Sequence, residues 1–328
     1  MKAVVCTKYG SPDVLQLKEV ETPAPKEDEV LVRVHAASLN AADLETLRGD
    51  SVVRMASPLK PMYKILGTDV AGRIERVGGS VKQSQPGDEI WGDLSFPLGF
   101  GTLAEYVCIP EHALRLKPAS MDFEEAAAIP TAGVVALQHL RCKRPVQPGQ
   151  KVLINGAGGS VGTFAVQLAK HFGAQVTAVD SADKLDMLRS IGADQVIDYR
   201  QEDFTTSGQR YDLILDVVAS RSVFDYRRAL SPDGICLLVG GSMAVVFQAL
   251  LLGPLIRRTG RRQIGLGTWE PNKKEDLNLL GELFEAGKIV PVINKRYPLH
   301  EVPEAFRYLA SGQHQGKVVI TMEGKQVD

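Results

Sequence analysis

The amino-acid sequence predicts an α/β protein of two domains, one of which is a parallel sheet covered by helices on both faces. The 328-residue chain is longer than a single hydrophobic core usually extends. Residues 1–120 carry short strand patterns separated by turn residues. From about residue 123 to 290, strand and helix patterns alternate, which is typical of a parallel sheet because each crossover needs a helix.

The composition limits the class of partner. The residues are 44% hydrophobic and 23% charged, with a net charge of -1 at pH 7, so we expect a soluble protein without electrostatic attraction for nucleic acid. The N-terminal MKAVVCTKYG lacks the apolar core of a secretory signal, which favours a cytoplasmic location. Cys6, Cys108, Cys142 and Cys236 are too widely spaced for the paired thiolates of a zinc ribbon, and we expect free thiols.

The first domain is predicted to be rich in β-structure. Val30, Val32 and Val34 recur with the period of two that a strand requires. Turn residues at 78–79 and 86–88 separate neighbouring strands. After a short helix within 296–309, the chain ends in the strand pattern GKVVITM, which we expect to return to the first domain.

The second domain is predicted to start its sheet with KVLIN at 151–155, followed by a helix with regularly spaced apolar positions. Helical patterns at 183–191 and 222–230 separate four more strand patterns, AQVTAVD, DQVIDY, YDLILDVV and GICLLVG. The apolar run at 243–256 contains Pro254 and is shorter than the roughly 20 residues of a membrane span, so we expect a buried helix or a pocket wall.

A glycine cluster between the first strand and its helix indicates dinucleotide binding. Gly159 would let the backbone approach a pyrophosphate, Gly162 would let the helix pack on the strand, and the helix N-terminus favours an anion. Asp180, at the end of the second strand, is placed to accept hydrogen bonds from ribose hydroxyls. A purely structural turn is the alternative. The predicted nucleotide-binding loop consists of Gly156, Ala157, Gly158, Gly159, Ser160, Val161 and Gly162.

Segments in the same order along nearly the whole chain carry a family resemblance. They are MKAVV, SLNAAD, LGTDVAGRIERVG, PGDEIWG, GTLAEYV, AAAIPTAGVVAL, the glycine loop, IGADQVIDY and GKVVI. Together they resemble the medium-chain dehydrogenase/reductase superfamily, specifically its zinc-independent quinone oxidoreductase-like branch. The resemblance implies a Rossmann doubly wound parallel sheet at 123–291 and a GroES-like β-rich catalytic domain at 1–122, completed by 292–328. It also implies a homodimer formed through edge strands of the Rossmann sheet.

The resemblance implies that zinc is absent. Zinc-dependent members carry a cysteine where this chain has Asn40 and a histidine where it has Thr68, and the four-cysteine structural lobe is missing after PGDEIWG. Hydride delivery to a conjugated acceptor suits such a site, because the acceptor disperses the incoming charge and hydrogen-bond donors can stabilise it.

The resemblance also implies candidate catalytic residues, each with a structural alternative. Asn40 matches a position that hydrogen-bonds the substrate carbonyl or a water, and Asp43 matches a position that orients this bonded group. The structural alternative is that both residues cap a helix start, since Asn and Asp favour caps. Thr131 matches a position beside the nicotinamide, or it bonds local backbone at a helix start. Gly240 and Gly241 match a backbone contact to the carboxamide, or they form a strand-end turn.

The sequence gives opposing indications about the cofactor. Asp180 favours the ribose diol of NADH and would repel a 2′-phosphate. Lys184 and Tyr199 match positions that contact the 2′-phosphate in relatives that use NADPH. We expect NAD(P)H, with NADH slightly favoured by Asp180.

The leading hypothesis is a metal-free, NAD(P)H-dependent reductase of small-molecule quinones or α,β-unsaturated carbonyl compounds. Two alternatives stay open: a zinc-independent alcohol or aldehyde dehydrogenase, and a nucleotide-binding protein that acts mainly through protein interaction. The apolar and arginine-rich segment 243–262 fits a helix packed against a cleft or a subunit. It also fits a flap beside a lipophilic substrate, or a patch for anionic lipid.

Overall fold

A computed structural model describes residues 1–95, 101–142, 144–258 and 260–322, without the side chain of Val52. Residues 323–328, the end of the predicted 292–328 segment, and residue 259 of the 243–262 segment lie outside the described residues. The chain divides into two compact units. Unit 1 contains residues 1–134, 271–285 and 291–328, and unit 2 contains residues 135–270 and 286–290. The domain boundaries at 122 and 291 remain predictions.

The described residues form strands and helices that we number in chain order. The strands are β1 (Lys2–Cys6), β2 (Leu15–Glu19), β3 (Glu29–Leu39), β4 (Asp69–Val77), β5 (Glu89–Asp93), β6 (Tyr106–Pro110), β7 (Leu114–Leu116), β8 (Lys151–Asn155), β9 (Gln175–Asp180), β10 (Gln195–Asp198), β11 (Tyr211–Asp216), β12 (Leu230–Leu238), β13 (Gln263–Leu266), β14 (Ile293–Pro298) and β15 (Lys317–Thr321). The helices are α1 (Ala41–Arg48), α2 (Ser51–Ala56), α3 (Phe123–Ala128), α4 (Pro130–Arg141), α5 (Ser160–His171), α6 (Leu185–Ser190), α7 (Val223–Ala229), α8 (Met243–Arg258), α9 (Lys274–Glu285) and α10 (Val302–Ala310).

Unit 1 is built on a seven-stranded sheet in the order β14-β15-β3-β4-β5-β7, with β6 also paired to β3. The C-terminal strand β15 runs antiparallel to β3, with Val318 opposite Leu39. Strand β4 also pairs with β3, so that Asp69 lies opposite Ser38. Because β3, β4 and β15 are neighbours, residues near positions 40, 69 and 317 come together although they are far apart in sequence.

Unit 2 is a six-stranded sheet in the order β10-β9-β8-β11-β12-β13, with parallel neighbours throughout. The predicted α/β class and parallel sheet are confirmed. The central strand β8 is buried from Val152 to Asn155, as a strand covered on both faces requires. The sequence prediction missed β13, because its four residues include a glycine and show no alternation.

The bounds of one strand and one helix in unit 2 differ from those predicted. Strand β12 begins at Leu230, four residues before the predicted start at Gly234, because Leu230 already pairs with Tyr211 of β11, and an irregularity in the register separates this pair from the next, Leu213 with Ile235. The segment 243–256 is part of a helix that extends to Arg258. Only Val245, Ala249, Gly253 and Ile256 of this helix are buried, so it is not a fully buried helix, and part of it lines a groove against β13. No helix among the described residues is both long enough and apolar enough to cross a membrane.

Candidate functional site

A buried polar cluster in unit 1 surrounds the carboxylate of Asp69, the first residue of β4. Its Oδ2 accepts hydrogen bonds from Ser38 Oγ at 2.7 Å, Asn40 Nδ2 at 2.9 Å and Lys317 Nζ at 3.0 Å. Its Oδ1 accepts from the backbone N of Thr131 at 2.9 Å and from Thr131 Oγ1 at 2.6 Å. Asp69 and Lys317 are both fully buried, so the charges of the ion pair are satisfied within the protein.

Lys317 holds the other end of the Asn40 amide. Its Nζ donates to Asn40 Oδ1 at 2.7 Å, while Asn40 Nδ2 donates to Thr68 Oγ1 at 3.1 Å as well as to Asp69. These contacts fix the amide in one orientation, since only its oxygen can accept from the ammonium. Thr68 Oγ1 lies 3.5 Å from Thr131 Oγ1, so the two hydroxyls are neighbours.

Asp43 lies at the start of α1 and supports Asn40 through the backbone. Its Oδ2 accepts from Asn40 N at 2.8 Å and its Oδ1 from Gly67 N at 3.1 Å. Burial raises the pKa of Asp43 to about 7, and the nearby Asp69 charge acts in the same direction. The structure therefore shows Asp43 at a helix start and in contact with the backbone of Asn40, whereas its role toward the substrate stays a prediction.

Asp93, at the end of β5, is a second buried acid near this cluster. Its Oδ1 accepts from Ser95 N at 2.7 Å and Ser95 Oγ at 2.6 Å. Its Oδ2 has no hydrogen-bond partner among the described residues. Burial, followed by the charge of Asp69, raises the pKa of Asp93 to about 7. Asp93 thus retains a proton at pH values where an exposed aspartate has lost it.

The glycine loop of unit 2 connects β8 to α5 as predicted. Gly156 has φ +78, a conformation that side chains rarely adopt. A Cβ at Gly162 would lie 2.3 Å from Gly156 O, whereas a Cβ at Gly159 would have its nearest neighbour at 3.5 Å. Gly159 is the N-cap of α5 and provides no side chain to cap its first N–H groups. The helix start therefore presents backbone donors and the positive end of its dipole, and it fits a pyrophosphate.

The Asp180 carboxylate is bound by the loop itself. Its Oδ2 accepts from Gly158 N at 2.7 Å and its Oδ1 from Ser181 N at 2.9 Å. Lys184 Nζ lies 3.5 Å from Oδ1, and both side chains are largely buried. Tyr199 N donates to Asp180 O at 3.2 Å, which places the three predicted residues Asp180, Lys184 and Tyr199 at one corner of the sheet.

Gly240 and Gly241 lie at the carboxyl end of the sheet, in the turn after β12. Gly240 O accepts from Ala219 N at 3.1 Å, and Gly241 has φ +119. A Cβ at Gly241 would lie 2.3 Å from Ala219 O, so this glycine is required by the close approach of two loops. The two glycines therefore form a strand-end turn, and their contact with a carboxamide stays a prediction.

The nearby Asp216, at the end of β11, was missed by the sequence prediction. Tyr226 OH donates to its Oδ2 at 2.7 Å, and Asn155 Nδ2 donates to both of its oxygens at 3.0 Å. These hydrogen bonds connect the carboxyl ends of β8 and β11. No sequence motif distinguished these residues, because each residue fits an ordinary strand or helix position.

Asp69 and Lys317 were also missed, although both lie within segments that carry the family resemblance, LGTDVAGRIERVG and GKVVI. In a strand pattern, a polar residue predicts a solvent-facing position. The useful signal was the apolar run that directly follows each residue, VAG after Asp69 and VVI after Lys317, which indicates burial on both faces at these ends of the strands.

Comparisons with known proteins agree with this architecture. Residues 26–119 match the family model "Alcohol dehydrogenase GroES-like domain", and residues 191–320 match the model "Zinc-binding dehydrogenase". The chain is 38% identical to a 2-methylene-furan-3-one reductase of Solanum lycopersicum, over 98% of this chain and 79% of that protein. It is 34% identical to an NADPH-dependent alkenal/one oxidoreductase, chloroplastic, of Arabidopsis thaliana, with the same coverage. The structure of a quinone oxidoreductase from Coxiella burnetii superposes with a TM-score of 0.88 at 30% identity, covering 98% of this chain and 99% of that one.

Proposed function

Because the chain belongs to the medium-chain dehydrogenase/reductase superfamily, in its quinone oxidoreductase-like branch, we propose that it reduces quinones or α,β-unsaturated carbonyl compounds with NAD(P)H. The relatives named above include an enone reductase, an alkenal/one oxidoreductase and a quinone oxidoreductase. These acceptors share a conjugated carbonyl, in which the charge of an incoming hydride moves to an oxygen atom.

The observation that carries the proposal is the hydrogen bond of 2.7 Å that the ammonium of Lys317 donates to the amide oxygen of Asn40. In zinc-dependent relatives, the positions of Asn40 and Thr68 hold metal ligands. Here an amide and a hydroxyl occupy these two positions, and the buried ammonium of Lys317 lies beside the amide. This set does not fit zinc, because the ammonium repels a second cation and no thiolate or imidazole is present in the cluster. We therefore propose chemistry without zinc.

Each member of the cluster has a proposed role. The cofactor, when bound by the glycine loop, supplies the hydride. Asn40 is the proposed contact for the acceptor oxygen and Thr131 the proposed contact beside the nicotinamide; they are 6% and 8% exposed, less buried than Asp69 and Lys317. Because both N–H groups of the Asn40 amide already donate, to Thr68 Oγ1 and Asp69 Oδ2, contact with the acceptor requires that one of these hydrogen bonds is exchanged for one to the substrate oxygen. Lys317 orients the Asn40 amide and adds positive potential where negative charge develops. Asp43 holds the backbone of Asn40, and water supplies the proton.

We propose that both NADH and NADPH are used. The ammonium of Lys184 offsets the charge of Asp180, and the Asp180 oxygens already accept from backbone N–H groups. Asp180 together with Lys184 therefore repels the 2′-phosphate of NADPH less strongly than Asp180 would without the lysine. Tyr199, which is 48% exposed, is available to pack beside the adenosine portion.

Two further proposals concern the environment of the protein. The sheet of unit 2 ends in β10 and β13, and we propose a homodimer through one of these edges, which a mass measurement by light scattering tests. A cytoplasmic location remains our proposal. All four cysteines are free thiols, which suits a reducing compartment.

The decisive experiment follows the oxidation of NADPH and NADH by absorbance with a small quinone, an enone, a simple aldehyde and no acceptor, each with and without a chelator. We expect turnover of the quinone or the enone that the chelator does not change. Turnover of the simple aldehyde alone would favour the dehydrogenase alternative. Tight cofactor binding without turnover of any acceptor would favour a role in protein interaction.

A further inference from the structure

Asp93 and Asp69 form a pair of buried carboxyl groups on neighbouring strands of unit 1. The two residues lie directly opposite each other where β5 runs antiparallel to β4. Side chains at opposed positions point to the same face of a sheet, with Cβ atoms about 5 Å apart. Asp69 is 0% exposed and Asp93 is 1% exposed, so bulk water does not screen one carboxyl from the other. Where two carboxyl groups share such a site, one of them retains a proton into the neutral pH range.

The surroundings of the pair identify Asp93 as the member that retains the proton. Asp69 forms an ion pair with the Lys317 ammonium at 3.0 Å, which favours the charged form of Asp69. Burial and then the negative charge of Asp69 raise the pKa of Asp93 to about 7. Asp69 is therefore the carboxylate of the pair and Asp93 is the acid.

The hydrogen bonds of Asp93 identify the oxygen that carries its proton. Oδ1 accepts from Ser95 N at 2.7 Å and from Ser95 Oγ at 2.6 Å. Oδ2 is buried and has no hydrogen-bond partner in the described part of the chain. A buried carboxylate oxygen without a donor is costly, whereas the O–H of a protonated acid is itself a donor that can turn toward a lone pair. The proton of Asp93 therefore belongs on Oδ2.

Thr131, at the start of α4, is next to both carboxyl groups. Its Oγ1 donates to Asp69 Oδ1 at 2.6 Å, and its side chain also interacts with the Asp93 carboxyl. A hydroxyl has one proton and two lone pairs, so Thr131 can donate to Asp69 and accept from the Asp93 acid at the same time. Thr131 is 8% exposed against 1% for Asp93, and it is the residue proposed to lie beside the nicotinamide, so it links the acid to the reacting groups.

The backbone of Asp93 is fixed by a residue from a distant part of the chain. Asp93 N donates to Asn272 Oδ1 at 3.0 Å, and Asn272 Nδ2 donates to Asp93 O. Asn272 has φ +57, in the left-handed region that is uncommon for residues other than glycine. Such strained positions are concentrated at functional sites. Asn272 thus holds the end of β5, and with it the Asp93 carboxyl, in one position.

On the basis of the function proposed above, we propose that Asp93 supplies the proton of the reaction through the hydroxyl of Thr131. Once the acceptor has received the hydride, its oxygen carries negative charge and competes with Asp69 Oδ1 for the proton of Thr131 Oγ1. An O–H bond forms on the acceptor as the Thr131 O–H bond breaks, and Thr131 Oγ1 takes the proton of Asp93 Oδ2. Asp69 keeps the hydrogen bond from Thr131 N at 2.9 Å. Asp93 is left as a carboxylate and regains a proton from water after the product leaves, so each turnover consumes one hydride and one proton.

The pH dependence of kcat in an Asp93→Asn variant tests this role, because asparagine keeps an acceptor for Ser95 but has no acidic proton. With a small quinone or an enone as acceptor, we expect the wild-type kcat to fall as pH rises through about 7, where Asp93 loses its proton. The kcat of Asp93→Asn should be about 100-fold below that of the wild type at pH 6 and about twofold below it at pH 9, with little change in KM. The other charged groups of the cluster, Asp43 on α1, Asp69 on β4 and Lys317 on β15, remain in this variant.

Further variants separate proton transfer from a structural role. Thr131→Val removes the hydroxyl and should lower kcat with the same pH dependence, whereas Thr131→Ser should restore most of it. Thr131→Val combined with Asp93→Asn should lower kcat little further, because both changes interrupt the same transfer. Asp276→Asn removes a carboxyl from another buried position of unit 1, on α9, and should keep the wild-type pH dependence. Urea unfolding establishes that each variant is folded.

Difference infrared spectra of the chain without substrate, recorded between pH 6 and pH 9, give a second readout that needs no turnover. The wild type should lose a protonated carboxyl band that is absent from Asp93→Asn. If the wild type turns over no acceptor, the proposed function fails, and the proton transfer fails with it. Turnover together with a ratio of wild-type to Asp93→Asn kcat that is equal at every pH, or with a carboxyl band that Asp93→Asn retains in full, would overturn only the role of Asp93.

Discussion

In the polar cluster of unit 1, side chains from distant positions converge on the Asp69 carboxylate, whereas in the glycine loop of unit 2 the anion-facing groups belong to consecutive backbone positions. Lys317 and Asn40 are 277 residues apart in sequence. The loop occupies only residues 156–162 and depends on close backbone packing, such as that of Gly162 against Gly156 O. The cluster should therefore be sensitive to changes of charge, and the loop to changes of volume.

The largest effect is expected when the buried ion pair is broken. Lys317→Met leaves the Asp69 carboxylate buried without its cation, and we expect the free energy of unfolding to fall by about 3–5 kcal/mol. Urea denaturation measures the loss. Lys288→Met, at an exposed position, is the control and should change stability little. A Lys317→Met/Asp69→Asn variant should recover part of the loss, because it no longer buries an unpaired charge.

Activity distinguishes a positioning role of Lys317 from a purely structural one. In any folded Lys317 variant we expect kcat to fall more than KM rises, because the ammonium acts where charge develops during the reaction. Arg at this position should restore stability better than activity, since its planar group cannot reproduce the single contact to Asn40 Oδ1. Equal recovery of both quantities would contradict a role in the reaction.

The second effect concerns Asp93 and depends on pH. Because its pKa is raised to about 7 in the folded chain, the folded state holds a proton that the unfolded state releases near pH 4. The contribution of Asp93 to stability therefore decreases as pH rises from about 4 to 7. Asp93→Asn keeps an acceptor for Ser95 and removes this ionisation, so the variant should be about 2–4 kcal/mol more stable than the wild type at pH 8 and similar to it at pH 4.

Urea unfolding at several pH values measures the difference between Asp93→Asn and the wild type. Asp186→Asn, whose side chain is 98% exposed, serves as the control and should follow the wild type at every pH. A constant difference between Asp93→Asn and the wild type across the range would mean that Asp93 is not the titrating group.

The contrast between the two regions also explains how much the sequence could predict. The place of the loop between β8 and α5 was predicted correctly, because its glycines, the strand before it and the helix after it are local and have a fixed spacing, while its role in nucleotide binding stays a prediction. In the cluster, Asn40, Asp43 and Thr131 were identified only through the family resemblance. Asp69 and Lys317 were missed, because their importance arises from the pairing of β3 with β4 and β15, and single-sequence patterns do not encode that register.

The same reasoning applies to α8. A helix was one of the predictions for this segment, and its almost wholly apolar sequence favoured a buried helix or a pocket wall. Burial depends on what packs against each face, and only the three-dimensional structure shows that one apolar face is covered and the other is not.

A smaller effect is expected from added volume in the loop. Gly162→Ala places a Cβ 2.3 Å from Gly156 O, so we expect a stability loss of about 1–3 kcal/mol together with loss of cofactor binding. Gly159→Ala has room in the protein, with its nearest atom at 3.5 Å, and should fold with normal stability. It should still weaken NADPH binding, because its methyl group occupies the approach to the pyrophosphate. Fluorescence titration and urea unfolding of the pair measure both quantities, and normal binding by both variants would exclude this loop as the phosphate site.

The smallest effect is expected at the corner that selects the cofactor. Lys184→Gln removes the ammonium 3.5 Å from Asp180 and should weaken NADPH about tenfold, because one charged contact to the 2′-phosphate is lost, while NADH changes little. Lys170→Gln, which removes a lysine paired with Asp194 in the same unit, should affect neither cofactor. Titration with both cofactors measures the ratio. If the affinities for NADH and NADPH fall equally, Lys184 acts through its packing against Gly158 and Asp180 rather than through its charge. This corner would then be sensitive to changes of volume, as the rest of the loop is.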